Sequence, residues 1–304
     1  MKPSQLFLFA SLLLCRLPVY AQIYVGQSAA NAVGAYNFDG TPINSSLIPG
    51  GYPWGGVYDG NGNIYWCMEG NRAVGKYTTA GAGGLLFTVT GDPMHVALDG
   101  NGYVYTVDGL FDRVGKYTTS GATINTSLAT YSGGGFSSIA CDGTYLYVGD
   151  SYNNHIYKFT TSGALVTSSL ITLPFNTGPL AMVCDNNGHL FIASNDNRVG
   201  EYSTLGATVN ASLISSGLDQ PFGLALGPNG DIYVASQRNG VLGQYGKDGT
   251  PINATLITGL NEPLGLVVAP EPSSIYLMLI GLTLSLRWLI RNARVSKCRS
   301  SLKC

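Results

Sequence analysis

Apolar and polar positions alternate in short runs along most of this chain, and Gly, Asn and Asp interrupt the runs. The alternation is clearest in "NIYWCM", "YVYTVD", "YLYVGD", "HLFIAS" and "DIYVAS". A period of two marks half-buried β-strands. A short apolar segment such as "FGLALG", from Phe222, precedes each run. Tight turns join the two: "DGNG" at Asp59 and Asp99, "DNNG" at Asp185 and "GPNG" at Gly227. Their Asn-Gly and Asp-Gly pairs accept positive φ, which a two-residue hairpin requires. A third strand follows, as "AVGKYTTAG", "RVGKYTTSG", "HIYKFTTSG", "RVGEYSTLG" and "VLGQYGKDG". A fourth ends the unit, as "INTSLAT", "VTSSLIT", "VNASLIS" and "INATLIT".

Two aromatic series show that these segments form one repeat. Tyr24, Tyr65, Tyr105, Tyr147, Phe191 and Tyr233 are spaced by 41, 40, 42, 44 and 42 residues. Tyr36, Tyr77, Tyr117, Phe159, Tyr202 and Tyr245 are spaced by 41, 40, 42, 43 and 43. Four strands in each such unit predict a β-propeller blade. The body opens at Gln22 with a unit lacking its first strand and closes with "LNEPLGLVVA", Leu260 to Ala269, a first strand lacking the rest. Together they complete one blade. The expected fold is therefore all-β, a six-bladed propeller over residues 22–269 whose first blade is shared between N- and C-terminal strands. Sharing a blade closes the ring and removes open sheet edges.

The repeats resemble the NHL family. "DSYNNHIYKFTTSG", Asp150 to Gly163, is similar to that family's Asp, Asn-His, Ile and Phe pattern, and "QPFGLALGPNGDIYVAS", Gln220 to Ser236, resembles the opening of its repeat. The resemblance implies the propeller fold and leaves function open. NHL-like propellers include binding scaffolds and lyases.

Charge is segregated. The body holds eight basic and sixteen acidic residues, a formal charge of −8, while six basic residues crowd the C-terminus from Arg287 to Lys303. An acidic body without a basic stripe excludes the usual nucleic-acid-binding surface. The first 21 residues, "MKPSQLFLFASLLLCRLPVYA", combine Lys2, an apolar run from Leu6 to Leu14 and a small-residue cleavage site before Gln22. This is the pattern of a secretory signal peptide. A buried N-terminal helix is the other reading, but the segment lacks an amphipathic period.

Candidate chemistry is sparse. His95 stands where other units carry Gly55, Ser137, Ala181, Gly223 and Gly265, at the start of the innermost strand near the channel mouth. It is a weak catalytic candidate, as general base or metal ligand, without a second His in register. His155 occupies a loop-capping place and His189 a hairpin place. Glu69, Asp108 and Asp150 stand in register in three neighbouring units, where later units have Ser194 and Ser236. They are channel-rim candidates for holding a cation, or caps of the loops that follow them. Cys67, Cys141 and Cys184 form neither a disulfide framework nor a zinc pattern; Cys141 and Cys184 share a core register. The Asn-x-Ser/Thr triplets at Asn44, Asn125, Asn210 and Asn253 recur once per unit, with Thr167 in the same place elsewhere. The repeat explains them without glycosylation. No cofactor or metal site is read from the chain.

The last segment, residues 270–304, begins Pro270-Glu271-Pro272-Ser273 and continues through an apolar run to Ile290 and a basic end. The 18 residues 273–290 predict a short transmembrane helix of about 27 Å at roughly 1.5 Å per residue. The basic end predicts a cytoplasmic tail. This arrangement resembles the PEP-CTERM sorting signal, with Pro270, Glu271 and Pro272 as its processing motif. The tail after Arg291 is longer than usual, and a plain membrane anchor is the other reading. The resemblance implies a Gram-negative bacterial host, an exosortase-type processing enzyme as partner, transient anchoring in the inner membrane, and release to the cell surface or an exopolysaccharide matrix. The expected function is that of a binding or structural scaffold, with exopolysaccharide or surface proteins as partners and no nucleic acid. The competing expectation is an NHL-like lyase, or another propeller enzyme, using a channel-mouth site around His95.

Overall fold

A computed structural model describes residues 22–131 and 133–269. The signal segment 1–21, the Pro-Glu-Pro motif and the expected membrane helix at 273–290 lie outside the described residues. Among the described residues no helix is long and apolar enough to cross a membrane.

The described residues form six four-stranded antiparallel sheets. Blade 2 comprises β4 (Pro53–Tyr58), β5 (Asn63–Met68), β6 (Ala73–Thr78) and β7 (Gly83–Thr88). Blade 3 comprises β8 (Pro93–Leu98), β9 (Tyr103–Asp108), β10 (Arg113–Thr118) and β11 (Thr123–Thr130). Blade 4 comprises β12 (Phe136–Cys141), β13 (Tyr145–Asp150), β14 (His155–Thr160) and β15 (Leu165–Thr172). Blade 5 comprises β16 (Pro179–Cys184), β17 (His189–Ser194), β18 (Arg198–Ser203) and β19 (Thr208–Ile214). Blade 6 comprises β20 (Pro221–Leu226), β21 (Ile232–Ser236), β22 (Val241–Tyr245) and β23 (Pro251–Ile257). Blade 1 is composite. Its outer strands β1 (Gln22–Gln27), β2 (Ala32–Tyr36) and β3 (Pro42–Pro49) are completed inside by β24 (Pro263–Ala269). The pairing runs from Gln22↔Ala269 to Gln27↔Pro263. The innermost strands β24, β4, β8, β12, β16 and β20 touch in one closed cycle, so the six-bladed ring and its shared blade are as the repeat predicts.

Alternation along the strands explains the packing. Successive side chains leave opposite faces of a sheet, so each blade feeds two interfaces. Ile23 and Val25, with Leu266 of β24, pack towards blade 6 against Ala225 and Tyr233, while Tyr24 between them packs towards blade 2 with Ile64 and Trp66. Six buried clusters fill the six interfaces in this way.

Local chemistry sets the details. In the "VGKY" segments a Cβ on Gly115 would lie 2.7 Å from Cε2 of Tyr117, so only Gly leaves room for the tyrosine two residues on. The turn aspartates accept backbone N–H groups: Asp99 Oδ1 takes those of Asn101 at 2.8 Å and Tyr103 at 3.1 Å. The triplet asparagines act likewise in the outermost strands, where Asn44, Asn125, Asn210 and Asn253 each accept the N–H two residues on. The ladder to the third strand is irregular there. A bulged, twisted outer strand resists pairing with another sheet edge.

Third-strand lysines tie blades together. Lys116 Nζ donates to Thr161 O at 3.0 Å and lies 4.0 Å from the Tyr103 ring centroid. Lys158 repeats this with Thr204 O at 3.0 Å and Tyr145 at 4.1 Å, and Lys76 reaches Thr119 O at 3.4 Å. These ammonium groups turn inward to the next blade, so "KYTT" is a stapling element.

Candidate functional site

Register defines one end of the ring. Pro93 pairs with Asp108, and Asp108 with Arg113, so the start of the innermost strand, the second-to-third loop and the incoming connection meet at the same end. Asp108 and Asp150 stand there in one register, in blades 3 and 4. The blade-2 residue in that register is Met68, paired with Pro53 and Ala73. Glu69 is therefore not in register with them but lies one residue later at the same end, in a short 3-10 turn over Glu69–Asn71. Gln22 and Ala269 lie at the opposite end.

Between these blades lies a cleft of about 260 Å³. Trp54 of β4 walls it on one side and Phe136, with Tyr152 of the β13–β14 loop, on the other; Met94 and Leu110 of blade 3 lie between. Glu69 and Asp92 supply its charges, and Ser137 and Ser151 its hydroxyls. The hydroxyls are engaged: Ser137 Oγ donates to Pro179 O at 2.7 Å and Ser151 Oγ to Gly135 O at 3.1 Å. Trp54 is held from two directions. Its Nε1 donates to Glu69 Oε2 at 2.8 Å, and its ring meets Phe222 of β20 edge-on at 6.0 Å. Tyr152 is 79% exposed, and its ring covers Gly135, where a Cβ would lie 2.5 Å from Cγ of Tyr152.

The three carboxylates do different work. Glu69 lines the cleft. Asp108 is buried beneath it and receives Arg113 Nε at 2.9 Å and Nη2 at 2.8 Å. It also accepts N–H groups of Asp92 and Leu110 at 3.2 Å and Phe111 at 3.3 Å. Asp150, fully buried, accepts N–H groups of Gly135 and Tyr152 at 3.0 Å and Asn153 at 2.9 Å, and the Tyr157 hydroxyl at 3.0 Å. Asp108 and Asp150 thus hold the loops that form the cleft. Nearby Asp112 is held above the usual carboxylate range by burial first, then by repulsion from Asp150 and Asp108, against the Phe136 N–H donated to it.

His95 is not among the walls of this cleft. It sits third in β8, partly exposed, paired with Val107. Its ring lies against Gly55 of the neighbouring β4, where a Cβ would come within 2.7 Å of Nδ1. Burial pushes its pKa down to about 4, so it is neutral at pH 7. The residue equivalent to it in blade 4 is Ser138, paired with Gly149, and not Ser137; the loop Gly133–Gly135 hides this one-residue offset in the sequence. His155 Nδ1 lies 3.2 Å from Thr172 Oγ1, and His189 Nδ1 lies 2.6 Å from Glu201 Oε1. Among the described residues no three His, Cys, Asp or Glu side chains are grouped to hold a metal. Cys67, Cys141 and Cys184 carry free thiols, and burial pushes Cys67 up to about 12 and Cys141 to about 11.

Reading the sequence singled out the carboxylates but missed Trp54 and Tyr152. The available signal was "PWGG" at the place of "PMHV" and "PFGL", an aromatic at the exposed start of an innermost strand.

No family model matches the chain, and no curated protein matches it. Solved structures share the fold. A chain of the nidogen/laminin complex is similar with a TM-score of 0.64 at 14% identity, covering 82% of this chain and 98% of that one. A streptogramin B lyase has a TM-score of 0.63 at 21% identity, covering 81% and 83%. Virginiamycin B lyase from Staphylococcus aureus has a TM-score of 0.57 at 20% identity, covering 73% and 76%. At these identities the likeness establishes the six-bladed propeller and leaves the activity open.

Proposed function

We propose that this chain is an exported bacterial binding module. In this reading it is sorted through a PEP-CTERM-like signal and carries its ligand in the channel-mouth cleft at the cell surface or in an exopolysaccharide matrix. One observation carries the binding reading: the cleft presents aromatic and aliphatic walls, while the carboxylates beneath it, Asp108 and Asp150, are occupied in holding its loops. Concave apolar sites with a few placed polar groups bind small ligands. Export and sorting are supported by the signal-like segment 1–21 and by Pro270-Glu271-Pro272 before the apolar run. The propeller begins and ends opposite the cleft, which leaves the cleft mouth clear of both junctions.

A second reading, an NHL-like lyase using His95, is favoured by the two lyases among the structural neighbours and by a neutral imidazole on an innermost strand. The two are separated by one experiment. Retention of the purified protein on the host's matrix polymer is measured beside cleavage of a streptogramin B substrate. Binding reduced by Tyr152→Ser and untouched by His95→Ala supports the module; turnover abolished by His95→Ala supports the lyase. For sorting, intact mass of the protein from its native host decides. A mature form starting near Gln22 and lacking the segment beyond Pro272 is expected, and Glu271→Ala traps the protein in the membrane fraction. A mature form still ending at Cys304 leaves a plain anchor.

A further inference from the structure

The channel-mouth cleft is lined with charge of one sign. Among the described residues Glu69 and Asp92 are its charged lining residues, and no Lys, Arg or His joins them. Its surroundings follow suit. Asp108 is matched by Arg113 at 2.8 Å, but Asp92 meets Arg72 only at 3.7 Å, with the Arg72 side chain 61% exposed and that of Asp92 36%, a geometry worth little in water. Glu69, Asp112 and Asp150 have no cationic partner among the described residues. A concave site with carboxylates of one sign and low-dielectric walls concentrates cations.

Two aromatic rings complete the site. Trp54, pinned by its hydrogen bond to Glu69, and exposed Tyr152 stand in blades 2 and 4 on either side of the blade-3 floor. Indole and phenol faces attract a cation whose charge is spread over carbon-bound hydrogens. A bare metal ion would need several converging ligands, and among the described residues no three His, Cys, Asp or Glu side chains are grouped to hold one. The volume of about 260 Å³ suits a head group better than a larger ligand.

We propose that the cleft binds a substituted ammonium ion, its charge beside the Glu69 carboxylate and its carbon groups against Trp54 and Tyr152. This rests on the binding-module reading and names the ligand class for its site. The test titrates full-length protein in neutral detergent with choline and with its uncharged isostere 3,3-dimethylbutan-1-ol, at low salt, following tryptophan fluorescence. Trp54→Phe identifies the reporting ring. Saturable choline binding at least tenfold tighter than that of the isostere is expected. Glu69→Gln keeps an acceptor for the Trp54 N–H and should weaken choline at least tenfold while leaving the isostere unchanged. Tyr152→Ser, at an exposed position with the fold intact, should weaken choline several-fold. Equal binding of the two probes would overturn the cationic ligand and leave the binding module standing. So would failure of both probes while Tyr152→Ser still lowers retention on the matrix polymer. If both probes fail and retention does not change, the proposal and the module fall together.

Discussion

Ring closure makes Leu266 the sharpest test of the fold. It belongs to β24 and is 4% exposed, packed with Ile23, Val25, Ala225, Tyr233 and Leu242. These neighbours come from the first blade's outer strands and from blade 6, so Leu266 is buried only if the end of the body returns to its beginning. Truncation to Ala removes apolar area and leaves a cavity that a two-sided interface cannot collapse around. The expected cost is about 2–5 kcal/mol. For a domain of this size that lowers the melting temperature by roughly 4–20 °C. Ile124→Ala, at a 53% exposed outer-strand position, is the control and should stay within about 0.5 kcal/mol. Urea unfolding and differential scanning calorimetry on both variants provide the measurement. A Leu266→Ala protein indistinguishable from the Ile124→Ala control would refute the shared blade, because an unpaired last strand would leave Leu266 in water.

Other outcomes follow from the same geometry. Gly265→Ala drives a Cβ into the Trp54 carbonyl oxygen of the adjacent strand, and should cost about 1–3 kcal/mol in a urea melt. Lys158→Met removes the Thr204 contact and the Tyr145 cation–π pair from a buried site, and should lower stability by about 1–2 kcal/mol. His95 has a folded-state pKa near 4, below its unfolded value of 6.5. The unfolded state therefore binds the proton first. The stability His95 contributes is complete above about pH 6.5 and is lost as pH falls towards 4, on the order of 1–3 kcal/mol in total. NMR should find its imidazole neutral down to about pH 5, and His95→Asn should flatten that part of the stability–pH curve.

The sequence by itself determined the blade count, the strand order within each blade and the closure, because these rest on local chemistry repeated at a fixed interval. An Asp-x-Asn-Gly turn fixes one hairpin, a Gly two residues before a Tyr fixes one face, and period-two alternation assigns every other side chain to the next blade. Each signal lies within a few residues of what it specifies. The candidate site has only weaker signals, an aromatic in "PWGG" and carboxylates in or beside one register, and neither says what the side chains meet. Asp108 and Asp150 occupy the same register and both accept backbone amides, yet one also receives a guanidinium and the other a phenol, since Arg113 reaches the first while Tyr157 stands where other blades have Gly. Trp54 reads like any apolar start of a strand until ring closure brings Phe222 of the sixth blade against it. Lys116 and Lys158 read as solvent-facing charges until the next blade's turn supplies an acceptor. Only the tertiary structure decided these roles, because each depends on a partner from another blade, and the spacing of repeats places blades side by side without saying which side chains meet.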